Sequence, residues 1–385
     1  MEPELPQVKE PPEPATSLTP DPGRGAASDW REASRRVGFD WLLIGPHGLR
    51  AGWSILIFVA AFNFFRMFVG TILFSSGLVD EARISIAALV LAGEAAALVA
   101  VLGAAALMGV LEGHHISAYN LAARHLLRHL LSGLISGFAA LSLLVGALAW
   151  GGWLHFNAAA LSGSQIFRFA ALWAGAFLLV GAVEEGLFRC YGLSTLARGI
   201  NFWWALAAQV AICIYPSFDG GGNGAYGVYA AAALGLVPCL VLHFRKSDGS
   251  SFWQGAWVTS TAFALYHTQN GGENWVGILA AASIGFVFCV SVWVTGSAWW
   301  AIGCHAAWDW SETFFFGTPD SGIVAQGHYL STAPAGNALL SGGADGPEGS
   351  LLVLAAILLL LAALFVAHGR RKSGLTDAAA APTTD

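Results

Sequence analysis

The sequence predicts an all-α fold: a polytopic transmembrane helical bundle of about ten spans with both termini cytoplasmic. Three observations carry this reading. Hydrophobic residues make up 56% of the chain and the mean hydropathy is +0.62, more apolar length than a soluble core absorbs. The apolar residues fall in long runs separated by polar links, and several of the 16 tryptophans stand at the ends of those runs, as the aromatic belts of the two membrane interfaces require. The net charge of −6 says little about partners, because much of the acid sits in the N-terminal tail, but the sequence shows no strong basic surface, so the expected partners are membrane lipids and membrane-borne substrates and not nucleic acid.

Residues 1–37 are Pro-rich and charged, with no short apolar region behind a basic start, and read as a disordered tail and not a cleaved signal peptide. Residues 38–165 hold the first transmembrane helices and a cytoplasmic amphipathic segment. A membrane core follows over 166–316, with an extra helix pair near 201–251, then a Gly/Pro-rich loop at 317–350, a last transmembrane helix at 351–368 and a cytoplasmic tail at 369–385. A crossing needs about twenty apolar residues. That rule places spans near 52–74, 84–108, 133–154, 167–196, 202–218, 226–243, 252–267, 275–295, 297–316 and 351–367. The basic clusters Arg31/Arg35/Arg36/Arg50, Arg124/Arg128, Arg198, Arg245/Lys246 and Arg370/Arg371/Lys372 then all fall on one side, the cytoplasmic one.

Residues 112–131 carry His114, His115, His125 and His129 beside two arginines and read as one amphipathic helix on the cytoplasmic interface. The histidines have no carboxylate partner in the pattern, so a metal site is not expected there. Loop 317–350 reads as an ordered cap near the outer face. The cysteines Cys190, Cys213, Cys239, Cys289 and Cys304 lie singly in apolar stretches and read as packing residues.

Ionisable groups inside spans are expensive and so point to function. Three constellations stand out: Glu184-Glu185-x-x-x-Arg189, Phe263-x-x-x-His267 and His305-x-x-x-Asp309. On a helix, Glu185 and Arg189 share a face and pair, while Glu184 points about 100° away and is free for another task. His305 and Asp309 likewise share a face. At 1.5 Å per residue, Glu184, His267 and Asp309 lie roughly 20, 22 and 18 Å from the cytoplasmic face, so they meet at one depth. Arg66 and Glu94, inside the first two spans, read as an interhelical pair or snorkelling groups, with a substrate-contact role as the alternative.

Carboxylate, histidine and arginine together suggest hydrolysis. Glu184 is placed to take a proton from water as general base. The histidines then orient that water, stabilise an oxyanion, or bind a metal that does so; a divalent metal such as zinc, held by Glu184, His267 and His305, stays open. The chain has no HExxH, GxSG or GxGD motif, and Asp309 is the only aspartate clearly inside a span, so other intramembrane protease chemistries find no residues.

These three motifs, in this order on separate spans, resemble the CPBP intramembrane glutamic endopeptidases, relatives of the type II CAAX prenyl endopeptidases and of bacteriocin-processing and immunity proteins. Stretches 261–274 and 296–310 are similar to that family's core, and 341–349 to a tail of bacterial members. The resemblance implies a glutamate-based site, with Glu184 activating water, Glu185 and Arg189 supporting it, and His267, His305 and Asp309 completing it. It further implies cleavage of a peptide bond in a membrane-associated or lipidated substrate. The chain departs from the family in the residues near 201–251, an extra helix pair where relatives have a shorter link.

The rival expectation is a non-catalytic immunity or scaffold protein, or an ion-coupled transporter using the same buried groups. Fifteen arginines against three lysines, with abundant Ala and Gly, point to a high-GC genome and a bacterial inner membrane.

Overall fold

A computed structural model of the chain describes residues 43–45, 48–77, 79, 84–218, 222 and 224–369. The expected tail at 1–37, nearly all of the C-terminal tail and most of the link between the helices of the extra pair lie outside the described residues. The chain divides into two units, Met1–Arg50 and Ala51–Asp385. In the first, strands β1 (Ile44–Gly45) and β2 (Gly48–Leu49) pair antiparallel, with Gly48 at a φ of 91°.

The second unit is helical. Its first helices are α1 (Ala51–Ser75), α2 (Ile86–Glu112) and α3 (Leu126–Trp150). The next, α4 (Ser164–Glu185), runs through a π-helical turn, Gly186–Gly192, into α5 (Leu193–Gly199). Then come α6 (Phe202–Phe218), α7 (Gly224–Arg245), α8 (Ser250–His267) and α9 (Trp275–Thr295). Helix α10 (Trp299–Trp310) also continues into a π-helical turn, Ser311–Phe316, and α11 (Ala338–Ser341) and α12 (Val353–His368) close the order. The caps are local chemistry. The side chain of Asn274 accepts from the backbone N–H groups of Val276 and Gly277 at the start of α9, and Gly296 ends it at a φ of 75°, a left-handed conformation that glycine adopts without a Cβ penalty.

Among the described residues, six helices are long and apolar enough to cross a membrane: Ala51–Ser75, Ile86–Glu112, Leu126–Trp150, Ser164–Gly199, Gly224–Arg245 and Trp275–Thr295. The other four expected spans are helical too, but α6, α10 and α12 are short and α8 is more polar. The reason for α8 and α10 is their position. Both are enclosed by other helices, and α8 buries Gln254, Thr259, Ser260 and Thr261, so lipid does not set their composition. Helix α1, by contrast, exposes Leu56, Phe64, Met67, Phe68 and Ile72, a surface suited to lipid.

Helix α10 carries two of the predicted site residues, and glycines bring its neighbours against its backbone. A Cβ added at Gly133 or Gly137 of α3 would collide with the carbonyl of Trp300 or Cys304, and one at Gly303 with that of Leu130. On the other side, a Cβ at Gly181 of α4 would stand 3.0 Å from the Ile302 carbonyl. Such close backbone approach is how helices pack where no hydrophobic force separates them from lipid. Around this seam Leu141, Leu144, Leu148, Trp300, Val353 and Leu360 build the main core.

The stretch 112–131 is not one amphipathic helix. Gly113 ends α2 at a φ of 70°, a short 3-10 turn spans Ile116–Ala118, and α3 begins only at Leu126, after His125 at a φ of 60°. Tyr119 inside this link is buried and donates to Glu112, which competes with continued helix. Loop 317–350 is folded: β4 (Thr332–Pro334) pairs antiparallel with β3 (Leu154–Phe156), and Asp345 accepts from the Asn274 backbone N–H at 3.1 Å. It caps the bundle end where α3, α8 and α10 finish and α9 begins. The cysteines Cys190, Cys213, Cys239, Cys289 and Cys304 are all free thiols, four of them buried.

Candidate active site

Glu184 and Glu185 end the α-helical part of α4, and the i→i+5 bonding of the π turn starts at the next residue. Such turns are rare insertions in helices and concentrate at functional sites. Glu185 and Arg189 are both fully buried and form an ion pair at 3.3 Å. Their burial is tolerable only because each has further company. The Arg189 guanidinium stacks over the ring of Phe263 at 4.2 Å, with Phe288 and Phe188 at 5.4 and 5.7 Å. Gly285 makes room for it, since a Cβ there would collide with Nη2. The Arg189 carbonyl accepts from the Asn120 side chain at 2.8 Å.

His305 is where the other carboxylates converge. Its Nδ1 donates to Oε1 of Glu185 at 3.0 Å, while Nε2 lies 3.4 Å from Oδ2 of Asp309 and 3.8 Å from Oε2 of Glu184. Phe288 stacks on the imidazole at 5.8 Å, which with Phe263 edge-on at 6.1 Å limits its rotation. Oε2 of Glu184 has no hydrogen-bond partner among the described residues.

His267, at the end of α8, donates from Nδ1 to the Phe263 carbonyl at 2.9 Å, so its Nε2 is the nitrogen left to act on another group. It touches Phe263, which also packs against Arg189 and His305. Glu184, His267, His305 and Asp309 line one cavity of about 460 Å³, and Glu185 and Arg189 stand behind its wall. Of the six residues singled out in the sequence, four therefore face the cavity and two hold one of those four in place.

Arg66 also lines this cavity, a position that fits the substrate-contact alternative, while its proximity to Glu94 fits the interhelical pair. Tyr266 and Thr313 are further cavity residues without a signal in the pattern, apart from their closeness to His267 and Asp309. Asn120 and Gly285 were invisible because their roles depend on helices remote in sequence.

The set Glu184, His267 and His305 does not fit a zinc ion as it stands. Both ring nitrogens of His305 face carboxylates, and the ligand atoms of these three residues do not gather within 4.8 Å of one another, which among the described residues only Glu312, Asp320 and Glu348 achieve. Zinc with nitrogen and oxygen ligands needs bonds near 2.0–2.2 Å, hence a tighter cluster.

No curated protein and no solved structure matches the chain. A family model described as Type II CAAX prenyl endopeptidase Rce1-like matches residues 239–311. The matched stretch begins at Cys239, inside the extra helix pair, and includes Phe263, His267, His305 and Asp309, while the glutamate motif lies before it. Over residues 239–311 the chain thus carries the signature of the Rce1-like type II CAAX prenyl endopeptidases, consistent with the CPBP family that its three motifs resemble.

Proposed function

We propose that the chain is an intramembrane endopeptidase of the CAAX-protease-like type, hydrolysing a peptide bond in a membrane-associated or lipidated substrate by glutamate-activated water. The observation that carries this reading is the convergence of three cavity-lining residues: Nε2 of His305 lies 3.4 Å from Oδ2 of Asp309 and 3.8 Å from Oε2 of Glu184, an oxygen with no hydrogen-bond partner among the described residues. A water drawn from the cavity onto the Glu184 carboxylate is oriented by His305 while Glu184 accepts its proton. The water oxygen forms a bond to the carbonyl carbon, and the carbonyl electron pair moves to its oxygen, within reach of the two histidines. As the C–N bond breaks, the proton passes from Glu184 to the leaving nitrogen, which departs as an amine. Glu185 and Arg189 do not touch the reacting atoms in this scheme; Glu185 fixes the His305 ring and Arg189 balances its charge.

The apolar wall of Ile86, Val90, Phe177 and Val180 suits a lipid chain or a hydrophobic peptide. In this reading the four shorter helices complete ten crossings, both termini are cytoplasmic and the membrane is a bacterial inner membrane. Transport would string polar groups across the bilayer; here Glu184, Glu185 and Asp309 gather around a single imidazole.

The test compares membrane proteomes of cells carrying wild type, Glu184→Gln or His305→Ala at equal abundance. A membrane-protein precursor should accumulate in both variants. If both retain full cellular effect, the chain is not acting as this protease and the scaffold reading stands.

A further inference from the structure

Away from the glutamate motif, the cap end holds a second group of carboxylates. Glu312 lies in the π turn after α10, and Asp320 and Glu348 come from loop 317–350; one ligand oxygen of each lies within 4.8 Å of the others. Glu312 is fully buried, and among the described residues neither of its carboxylate oxygens has a hydrogen-bond partner. The other two have one side-chain donor each: Trp308 Nε1 donates to Glu348 at 2.7 Å and Thr313 Oγ1 to Asp320 at 2.6 Å. None of the ion pairs among the described residues involves any of the three.

A fully buried carboxylate with no donor is costly, and two more beside it add repulsion. Proton uptake relieves part of this cost, and burial does hold Asp320 and Glu348 above the usual carboxylate range. The placement, however, is not that of carboxyls each finding its own hydrogen bond. Thr318 binds the Glu312 carbonyl twice, through its backbone N–H and its hydroxyl, both at 3.1 Å, and Gly346, at a φ of 107°, brings cap backbone close to the Glu312 side chain. The cap is folded so as to aim two of its acids at Glu312.

We propose that Glu312, Asp320 and Glu348 bind a hard divalent cation, calcium or magnesium, that fastens the cap to the end of α10. The ligand set is all oxygen, without the imidazole or thiolate that selects zinc or copper. Ligands on opposite sides of a calcium ion at about 2.4 Å stand about 4.8 Å apart, so the observed spread fits inside one coordination shell. Asp320 and Glu348 also line the cavity that contains Glu184, so the ion would stiffen the rim of that cavity.

The experiment uses the full chain in detergent or nanodiscs, stripped with chelator and then titrated with CaCl2 or MgCl2 against NaCl of equal ionic strength. The thermal midpoint of the wild type should rise saturably by a few degrees with at least one divalent ion. Glu312→Gln should abolish the rise yet melt no lower than wild type in chelator, because it removes an unpartnered buried charge; Asp320→Asn and Glu348→Gln should weaken the rise. Glu184→Gln should keep it. No divalent-specific rise in wild type overturns the proposal, as does a full rise in Glu312→Gln. A rise lost in Glu184→Gln but kept in Glu312→Gln also overturns it, by moving the ion to the candidate active site.

Discussion

Nδ1 of His305 lies 3.0 Å from Oε1 of Glu185, and that same oxygen lies 3.3 Å from Nη1 of Arg189. One carboxylate oxygen thus ties together α4 and α10, the two helices that supply the acids around the imidazole. The adjacent residue, Glu184, gains a fixed histidine opposite it without having to hold that histidine itself.

Removing Glu185 should therefore cost stability first. In Glu185→Ala, Arg189 remains fully buried with no counter-charge, and the loss should be about 3–5 kcal/mol. Adding Arg189→Met removes the orphan and should recover a large part of the loss. Unfolding of the four proteins of this cycle in detergent measures the coupling.

Glu184→Gln should behave in the opposite way. Glutamine fills the same space but cannot take a proton, so cleavage should fall about 10²–10⁴-fold while the melting temperature stays close to wild type. Asp309→Asn keeps an acceptor near Nε2 of His305 and should lose less. Single-turnover cleavage of a precursor identified from the proteome comparison checks both.

The glycine seam should be as sensitive as the charged centre. Gly137→Ala pushes α3 from the Cys304 carbonyl, next to His305, and should destabilise by about 1–3 kcal/mol and reduce cleavage. Gly146→Ala, on the same helix where an added Cβ meets nothing within 4 Å, should do neither. Parallel melting and cleavage assays on the two variants separate packing at the seam from a general effect of alanine.

The cap predicts a pH dependence. Burial and the neighbouring Asp345 push Glu273 up to about 8, and burial pushes Asp345 up to about 7 although it accepts from the Asn274 backbone. Between the ordinary carboxylate range and those values the folded chain binds more protons than the unfolded one, so stability falls as pH rises. In chelator, the melting temperature should decline as pH rises from 5, most steeply up to about 7 where both groups contribute, less between about 7 and 8, and level off above that, and Asp345→Asn should flatten the slope. A melting temperature rising over that interval would contradict the assignment.

Much of the site was legible because intramembrane charge is rare and helical spacing is strict. The four-residue step from Glu185 to Arg189 and from His305 to Asp309 yields contacts in the structure at 3.3 and 3.4 Å. Arg66 was harder: one arginine in an apolar helix has the same pattern whether it faces lipid headgroups or a cavity. The break at Gly113 and His125 was hidden by amphipathic spacing, which does not register a buried Tyr119 bound to Glu112. The carboxylates of the cap were least legible, since a Gly/Pro-rich loop announces turns but not which acids those turns bury.

The π turns after Glu185 and after Trp310 each give a helix one residue more than its α-helical ladder accommodates. Each therefore acts as a slack point in phase: the stretch before it keeps its rotation about the helix axis whatever happens beyond. The faces that carry Glu184 and His305 therefore hold their mutual alignment independently of the segments after 192 and after 316.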